Sequence, residues 1–330
     1  LSGCAGEGVE ETSSSSSSEI NFDAYLGRNA STRAGVTNIA SLKKSGFGVF
    51  ARYKHNGATS PLMDNEHVTW NGDHWGYTNT RYWPNEGSVD FYAFAPYLKN
   101  VKLVNAPDSI KDNPTCIEFT SSTSPVDLVW DVQKNKTVPT SSTDGKVKFV
   151  FKHALARLGF DITANQELEE NGAVIQVEEV KLYGDTIVNG AFDIKGYLNL
   201  ENGGWSRPKD NTRVVYTWTP TGAEDGTNFK LSASQLDHTC SKIENAPNSY
   251  LCIIPQEKWV AFYLQITYTV QQGTFKEEVK VRKNLLEVRN PPEVSNPSFP
   301  FEKGKAYVFH LILSLDPINF YVTTTVVDWK

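Results

Sequence analysis

Period-two alternation of apolar residues runs along most of the chain, and no stretch shows sustained helical periodicity, so the sequence predicts an all-β protein. Its 330 residues exceed what one sandwich ordinarily needs and predict about two β-sandwich domains.

Taken in order, residues 13–18 are an unbroken serine run among glycines and glutamates, too poor in apolar surface to repay ordering, and they read as a flexible tether. Ile20, Phe22, Ala24 and Leu26 then alternate with Asn21, Asp23 and Tyr25, which predicts a short strand. Gly27-Arg28-Asn29-Ala30-Ser31-Thr32-Arg33-Ala34-Gly35 follows as a small-residue loop. Strands are expected at Phe47-Gly48-Val49-Phe50-Ala51 and within Ser88 to Tyr97, and Pro125 to Val132 is the best candidate for a single short helix. The polar stretch from Lys134 to Gly145 precedes Lys146-Val147-Lys148-Phe149-Val150-Phe151 and places a domain boundary near 145. The expected divisions are 1–33 for the tether and first strand, 34–145 for one sandwich and 146–330 for the other. Val260, Phe262, Leu264, Ile266, Tyr268 and Val270 mark one face of a long strand. Gln271-Gln272-Gly273 turns it into a partner in which Phe275, Val279 and Val281 oppose a charged face of Lys276, Glu278, Lys280 and Arg282. Tyr307, Phe309, Leu311, Leu313 and Leu315 make another strand, closed by Asp316-Pro317, and the tail resumes with Ile318, Phe320, Val322, Thr324 and Val326.

Charge narrows the function. The chain has 32 Lys and Arg against 38 Asp and Glu, a net charge of −6. Five of those acids, Glu7, Glu10, Glu11, Glu19 and Asp23, fall in residues 1–27, which hold no Lys or Arg, so the remainder is nearly neutral. Without clustered Lys and Arg there is no electrostatic footprint for nucleic acid. No apolar run reaches the roughly 18–20 residues of a membrane-spanning helix. Enzyme signatures are missing too: no GxSxG, Walker loop, strand-following GxGxxG, CxxC pair or HExxH. The expectation is a non-enzymatic protein with no cofactor and no metal.

Four local features remain. The aromatics between Trp70 and Tyr97 read as core and turn packing, with a sugar-stacking platform as the alternative. His153 shares a strand face with Phe149 and Phe151 and reads as a hydrogen-bonded structural histidine. Asp64, Glu66, His67, Asp73 and His74 surround a turn but lack a defined metal-loop spacing, and read as solvated. Cys240 and Cys252 are spaced to close a hairpin-sized loop by a disulfide, or are two small buried hydrophobes; Cys116 has no evident partner.

The chain opens Leu1-Ser2-Gly3-Cys4, which resembles the lipobox of bacterial lipoproteins, where a signal peptide is cut and the cysteine acylated. The acids just after Cys4 resemble a surface-export signal of Bacteroides-type lipoproteins. Further on, Gly46-Phe47-Gly48-Val49-Phe50-Ala51, then Trp70 and Trp75, Tyr82-Trp83-Pro84 and Val89-Asp90-Phe91-Tyr92-Ala93-Phe94-Ala95-Pro96-Tyr97 follow one another in a fixed order. Phe149-Val150-Phe151-Lys152-His153-Ala154-Leu155-Ala156 and Phe301-Glu302-Lys303-Gly304-Lys305-Ala306-Tyr307 complete the set. Together these resemble the fimbrillin family, the type V pilus subunits and related lipoproteins of Bacteroides-type bacteria. The resemblance implies two tandem transthyretin-like (Greek-key) β-sandwiches, a lipid anchor on Cys4 in the outer membrane, and assembly with other pilus subunits into a surface fimbria. It also implies cutting by an arginine-specific protease at Arg33, or else Arg28. The displaced strand would be Ile20, Phe22, Ala24 and Leu26. The donor strand replacing it would carry Ile318, Phe320, Val322, Thr324 and Val326. The alternative is a monomeric surface lipoprotein that binds a glycan, host or bacterial, or another host ligand through exposed aromatics.

Overall fold

A computed structural model describes residues 18–26, 38–107, 114–121, 126–140, 145–164, 172–184, 190, 192–208, 212–218, 230–231, 250–255, 263–284, 301–313 and 321–329. Apart from one helix they form strands and connections, so the protein is all-β as expected. In chain order the first elements are β1 (Asn21–Leu26), α1 (Ile39–Ser45), β2 (Phe47–His55), β3 (Ala58–Trp70), β4 (Trp75–Gly76), β5 (Ser88–Ala95), β6 (Leu103–Val104), β7 (Cys116–Thr120), β8 (Val129–Lys136) and β9 (Lys146–His153). Seven of these strands make one sheet in the order β1-β9-β8-β5-β2-β3-β4.

Both faces of this sheet are covered, which explains why β5 is apolar almost throughout. Val89, Phe91, Ala93 and Ala95 point into one core with Phe47, Val49, Phe149 and Phe151. Tyr92 and Phe94 point into another with Phe50, Ile117, Phe119 and Leu198. Successive strand residues face opposite sides, so a strand covered on both reads as an unbroken apolar run.

The remaining strands are β10 (Ala156–Ala164), β11 (Val174–Tyr183), β12 (Phe192–Asp193), β13 (Lys195–Asn199), β14 (Trp205–Ser206), β15 (Arg213–Val214), β16 (Tyr216–Trp218), β17 (Lys230–Leu231), β18 (Tyr250–Ile253), β19 (Tyr263–Gln272), β20 (Phe275–Asn284), β21 (Lys305–Leu313) and β22 (Tyr321–Asp328). A sheet ordered β18-β10-β21-β22 and another ordered β16-β11-β19-β20 share a core that includes Leu158, Ile253, Phe309 and Leu311 with Val177, Leu182, Ile266 and Tyr268. The expected hairpin is β19–β20, with Gln272 opposite Phe275 and Gly273 at φ +59°. Val279 and Val281 are buried and the charged face is wet. Phe275 is exposed instead, because it lies at the hairpin tip beside the turn.

Two expectations are corrected. The helix expected over Pro125–Val132 is absent where described: Val129, Trp130 and Val132 are in β8, paired with β5 and β9, and β-branched and aromatic residues suit that pleated surface. The helix that does form, α1, buries only Leu42. Asn38 caps it, accepting from the Ser41 N–H at 2.8 Å while the Ser41 hydroxyl accepts from the Asn38 N–H at 2.7 Å. Finally, the sheets do not divide at 145. β9 pairs with β8 and β1, and its Val147, Phe149 and Phe151 fill the core of the first strand set. The change of sheet falls at Ala154–Leu155, before β10, and β7 crosses between the two sets by pairing with β13.

Candidate functional site

β1 lies at one end of the seven-stranded sheet, parallel to β9, with Phe22 opposite Val147 and Ala24 opposite Phe149. Its other flank meets the segment after β4. The Ile20 N–H donates to the Arg81 carbonyl at 2.8 Å, and the Trp83 N–H donates to the Ser18 carbonyl at 3.0 Å. The Tyr77 hydroxyl donates to the Ile20 carbonyl at 2.7 Å. Burial pushes that phenol above its ordinary pKa, against the lowering effect of its backbone bond to Arg81. β1 therefore plugs the gap between the two ends of the sheet.

The alternation expected of β1 is what the structure uses. Ile20, Phe22 and Ala24 are 0%, 1% and 3% exposed, and Leu26 packs at the margin of the same core. Tyr25 faces outward, its hydroxyl donating to Asp23 Oδ2 at 2.6 Å. The Phe22 ring is enclosed by aromatics, stacked on Phe149 at 5.8 Å, edge-on to Phe91 at 5.9 Å and to Phe47 at 6.4 Å, and 5.4 Å from Tyr77. Removal of β1 would open an aromatic groove floored by these rings, flanked by the unpaired backbone edge of β9. Such an edge can pair with an incoming strand. Arg28 and Arg33 follow β1 in sequence and lie outside the described residues, as does Cys4.

At the other end of the chain, β22 is the outermost strand of its sheet and pairs antiparallel with β21, from Lys305 opposite Asp328 to Ile312 opposite Tyr321. Val322, Thr324 and Val326 lie on β22; Ile318 and Phe320 lie outside the described residues. Sequence reasoning gave Trp329 no role beyond ending the expected donor strand, Ile318 to Trp329. Its backbone N–H donates to the Gly304 carbonyl at 2.7 Å, and its indole stacks on His153 of β9 at 4.1 Å and 7°. The His153 ring in turn hydrogen-bonds through Nδ1 to Asp127 Oδ1 at 2.9 Å. The last described residue thus ties β22 to the first sheet. A lone tryptophan closing an alternating tail was the available signal.

The other candidates do not converge on a site. Trp75, Trp83, Phe91 and Phe94 are core residues, and Trp70 is half-buried beneath the Lys43 ammonium, 3.8 Å from its ring. Tyr82 is exposed. In the polar cluster, the Asn79 amide donates to both Glu66 carboxylate oxygens, His67 stacks on Tyr97 at 3.7 Å, and His74 contacts Asn71. Among the described residues no three His, Cys, Asp or Glu side chains are placed to hold a metal ion. No described helix is long and apolar enough to cross a membrane. Cys116 and Cys252 are free and buried, and burial raises both thiol pKa values; Cys240 lies outside the described residues.

The fold has close counterparts. A fimbrial protein from Bacteroides vulgatus superposes with a TM-score of 0.67 over 94% of this chain and 99% of its own, at 22% identity. The fimbrium subunit Fim1C of Phocaeicola vulgatus is 25% identical over 364 residues, covering 100% of this chain and 93% of the relative. The family model described as fimbrillin-like matches residues 32–329, nearly everything after the arginine-bearing loop, and the chain therefore belongs to the fimbrillin-like family of structural, non-enzymatic fimbrial proteins.

Proposed function

We propose that this fimbrillin-like chain is a surface fimbrial subunit that polymerises by strand exchange, built on two tandem transthyretin-like sandwiches. Lipidation at Cys4 holds the precursor at the outer membrane. An arginine-specific protease cuts at Arg33, or at Arg28, and frees β1. The C-terminal strand of another subunit then fills the vacated groove. The observation that carries this reading is the seat of β1: a terminal edge strand, buried through Ile20, Phe22 and Ala24, standing directly before the two arginines. The position of β22 on a sheet edge supports it, since an edge strand can leave by breaking one ladder rather than two.

The test is Arg-specific proteolysis of the purified chain followed by negative-stain microscopy and N-terminal sequencing. Filaments, with a new terminus at Asn29 or Ala34, are expected; a cleaved protein that stays monomeric would refute polymerisation by this route. Deleting residues 318–330 should abolish filaments and leave a soluble monomer, whereas loss of the whole fold would show that this strand is needed in its own sheet. Cys4→Ser should release the protein from the membrane fraction.

A further inference from the structure

The tripeptide Ile-Asn-Phe occurs twice in the chain, at Ile20-Asn21-Phe22 and at Ile318-Asn319-Phe320. The first copy leads into β1 and supplies the two largest side chains that plug the groove. The second stands immediately ahead of β22. Aligned on the tripeptide, the buried positions Ile20, Phe22 and Ala24 match Ile318, Phe320 and Val322, and the outward positions Asp23 and Tyr25 match Tyr321 and Thr323.

We infer that residues 318–324 of a second copy of this chain occupy the β1 groove parallel to β9, in the register the repeated tripeptide sets. Phe320 then lies beside Val147 in the aromatic seat of Phe22, Val322 beside Phe149, and Thr323 beside Val150, because those are the β9 partners of Phe22, Ala24 and Tyr25. This inference rests on the strand-exchange reading above and adds the orientation and register.

Three physical arguments select this arrangement. A one-residue slip would turn Phe320 to solvent, since side chains alternate faces. A two-residue slip would put Ile318 or Val322 in a seat shaped by four aromatic rings, leaving part of it empty. Reversing the strand about Phe320 would press Ile318 into the seat of Ala24, which is 3% exposed, and overpacking destabilises a core. The parallel register asks that seat to take only a valine. The backbone agrees: the bonds at the start of β1 use the Ser18 carbonyl and the Ile20 N–H. Neither needs an N–H at position 19, so Pro317, aligned with Glu19, costs no ladder bond.

Disulfide trapping between two full-length variants tests this, both carrying Cys4→Ser. One carries Val150→Cys, an exposed position on β9; the other carries a single cysteine in the donor segment. After Arg-specific cleavage, mixing and oxidation, Thr323→Cys should give at least about tenfold more intermolecular product than Tyr321→Cys, Thr325→Cys or Pro317→Cys, because crosslinkable Cα atoms must lie within about 7 Å. Dominant product at 321 or 325 would overturn the register, and at 317 the orientation, while leaving strand exchange intact. Filaments without any product at 323 would likewise overturn the register alone. Neither filaments nor crosslinks would overturn strand exchange itself and this inference with it.

Discussion

Replacing Phe22 by alanine should loosen β1 without unfolding the protein. The side chain is 1% exposed and touches Phe47, Tyr77, Phe91 and Phe149. Deleting a buried phenylalanine costs about 3–5 kcal/mol through lost transfer free energy and the cavity left behind. β1 ends its sheet, held by one ladder to β9 and by two backbone bonds from its lead-in residues to the segment after β4, so the loss falls on the step in which it detaches. A loss of about 4 kcal/mol raises the detached population about a thousandfold. Native-state hydrogen exchange reads this directly. The amides of β1 should exchange about a thousandfold faster, while those of β11 and β19, which line a different core, keep their protection. Arg-specific cleavage of the following loop should accelerate in parallel if cutting is limited by strand opening. Two results would refute the reasoning. Equal acceleration across both cores would mean β1 is integral to one cooperative unit. A change under about tenfold in β1 would mean that its aromatic seat contributes little to holding it.

Four further outcomes follow from the geometry. Trp329→Ala removes the stack on His153 and should weaken β22 docking by about 3 kcal/mol, seen as faster exchange of β22 amides. Trp329→Phe keeps a ring there and removes a buried indole N–H that has no acceptor among the described residues, so it should cost under about 1 kcal/mol. Burial pushes the Tyr92 and Tyr307 phenols up to about 12; because their folded pKa lies above the unfolded value of about 10, the stability they confer is complete below pH 10 and is lost as pH rises through 12. Ultraviolet titration should therefore show at least two tyrosines still protonated at pH 11, with the unfolding midpoint in urea falling over that window. Gly46→Ala should destabilise by about 2 kcal/mol in thermal unfolding, since Gly46 sits at φ +67° and an added Cβ would lie 2.5 Å from the Val68 carbonyl oxygen.

The strands were legible where one face is dry and the other wet. Along β20 and β1 the alternation specifies both the element and its buried side, because a strand at a sheet margin exposes its second face. Where both faces are covered the signal changes. Around Trp130 the run Leu128-Val129-Trp130 is buried without interruption, and a short apolar run does not distinguish a strand from a helix by period alone. Helix α1 was missed for the opposite reason: seven residues with one buried side chain carry almost no periodicity, and its evidence lies in the Asn38–Ser41 cap. The boundary near 145 follows composition, whereas strand pairing follows the core that Phe149 and Phe151 share with Phe47.

The sequence by itself determined that the chain is built of strands, which residues of its first strand are buried, that two arginines follow that strand, and the order of motifs that marks a fimbrillin-like protein. Tertiary structure decided what those facts mean together. That β1 pairs in parallel with β9, that it plugs the gap between the sheet's two ends, and that Trp329 reaches back to His153 all depend on contacts across more than 50 residues of chain. No local pattern encodes such contacts, because they arise only when distant apolar faces are buried against one another.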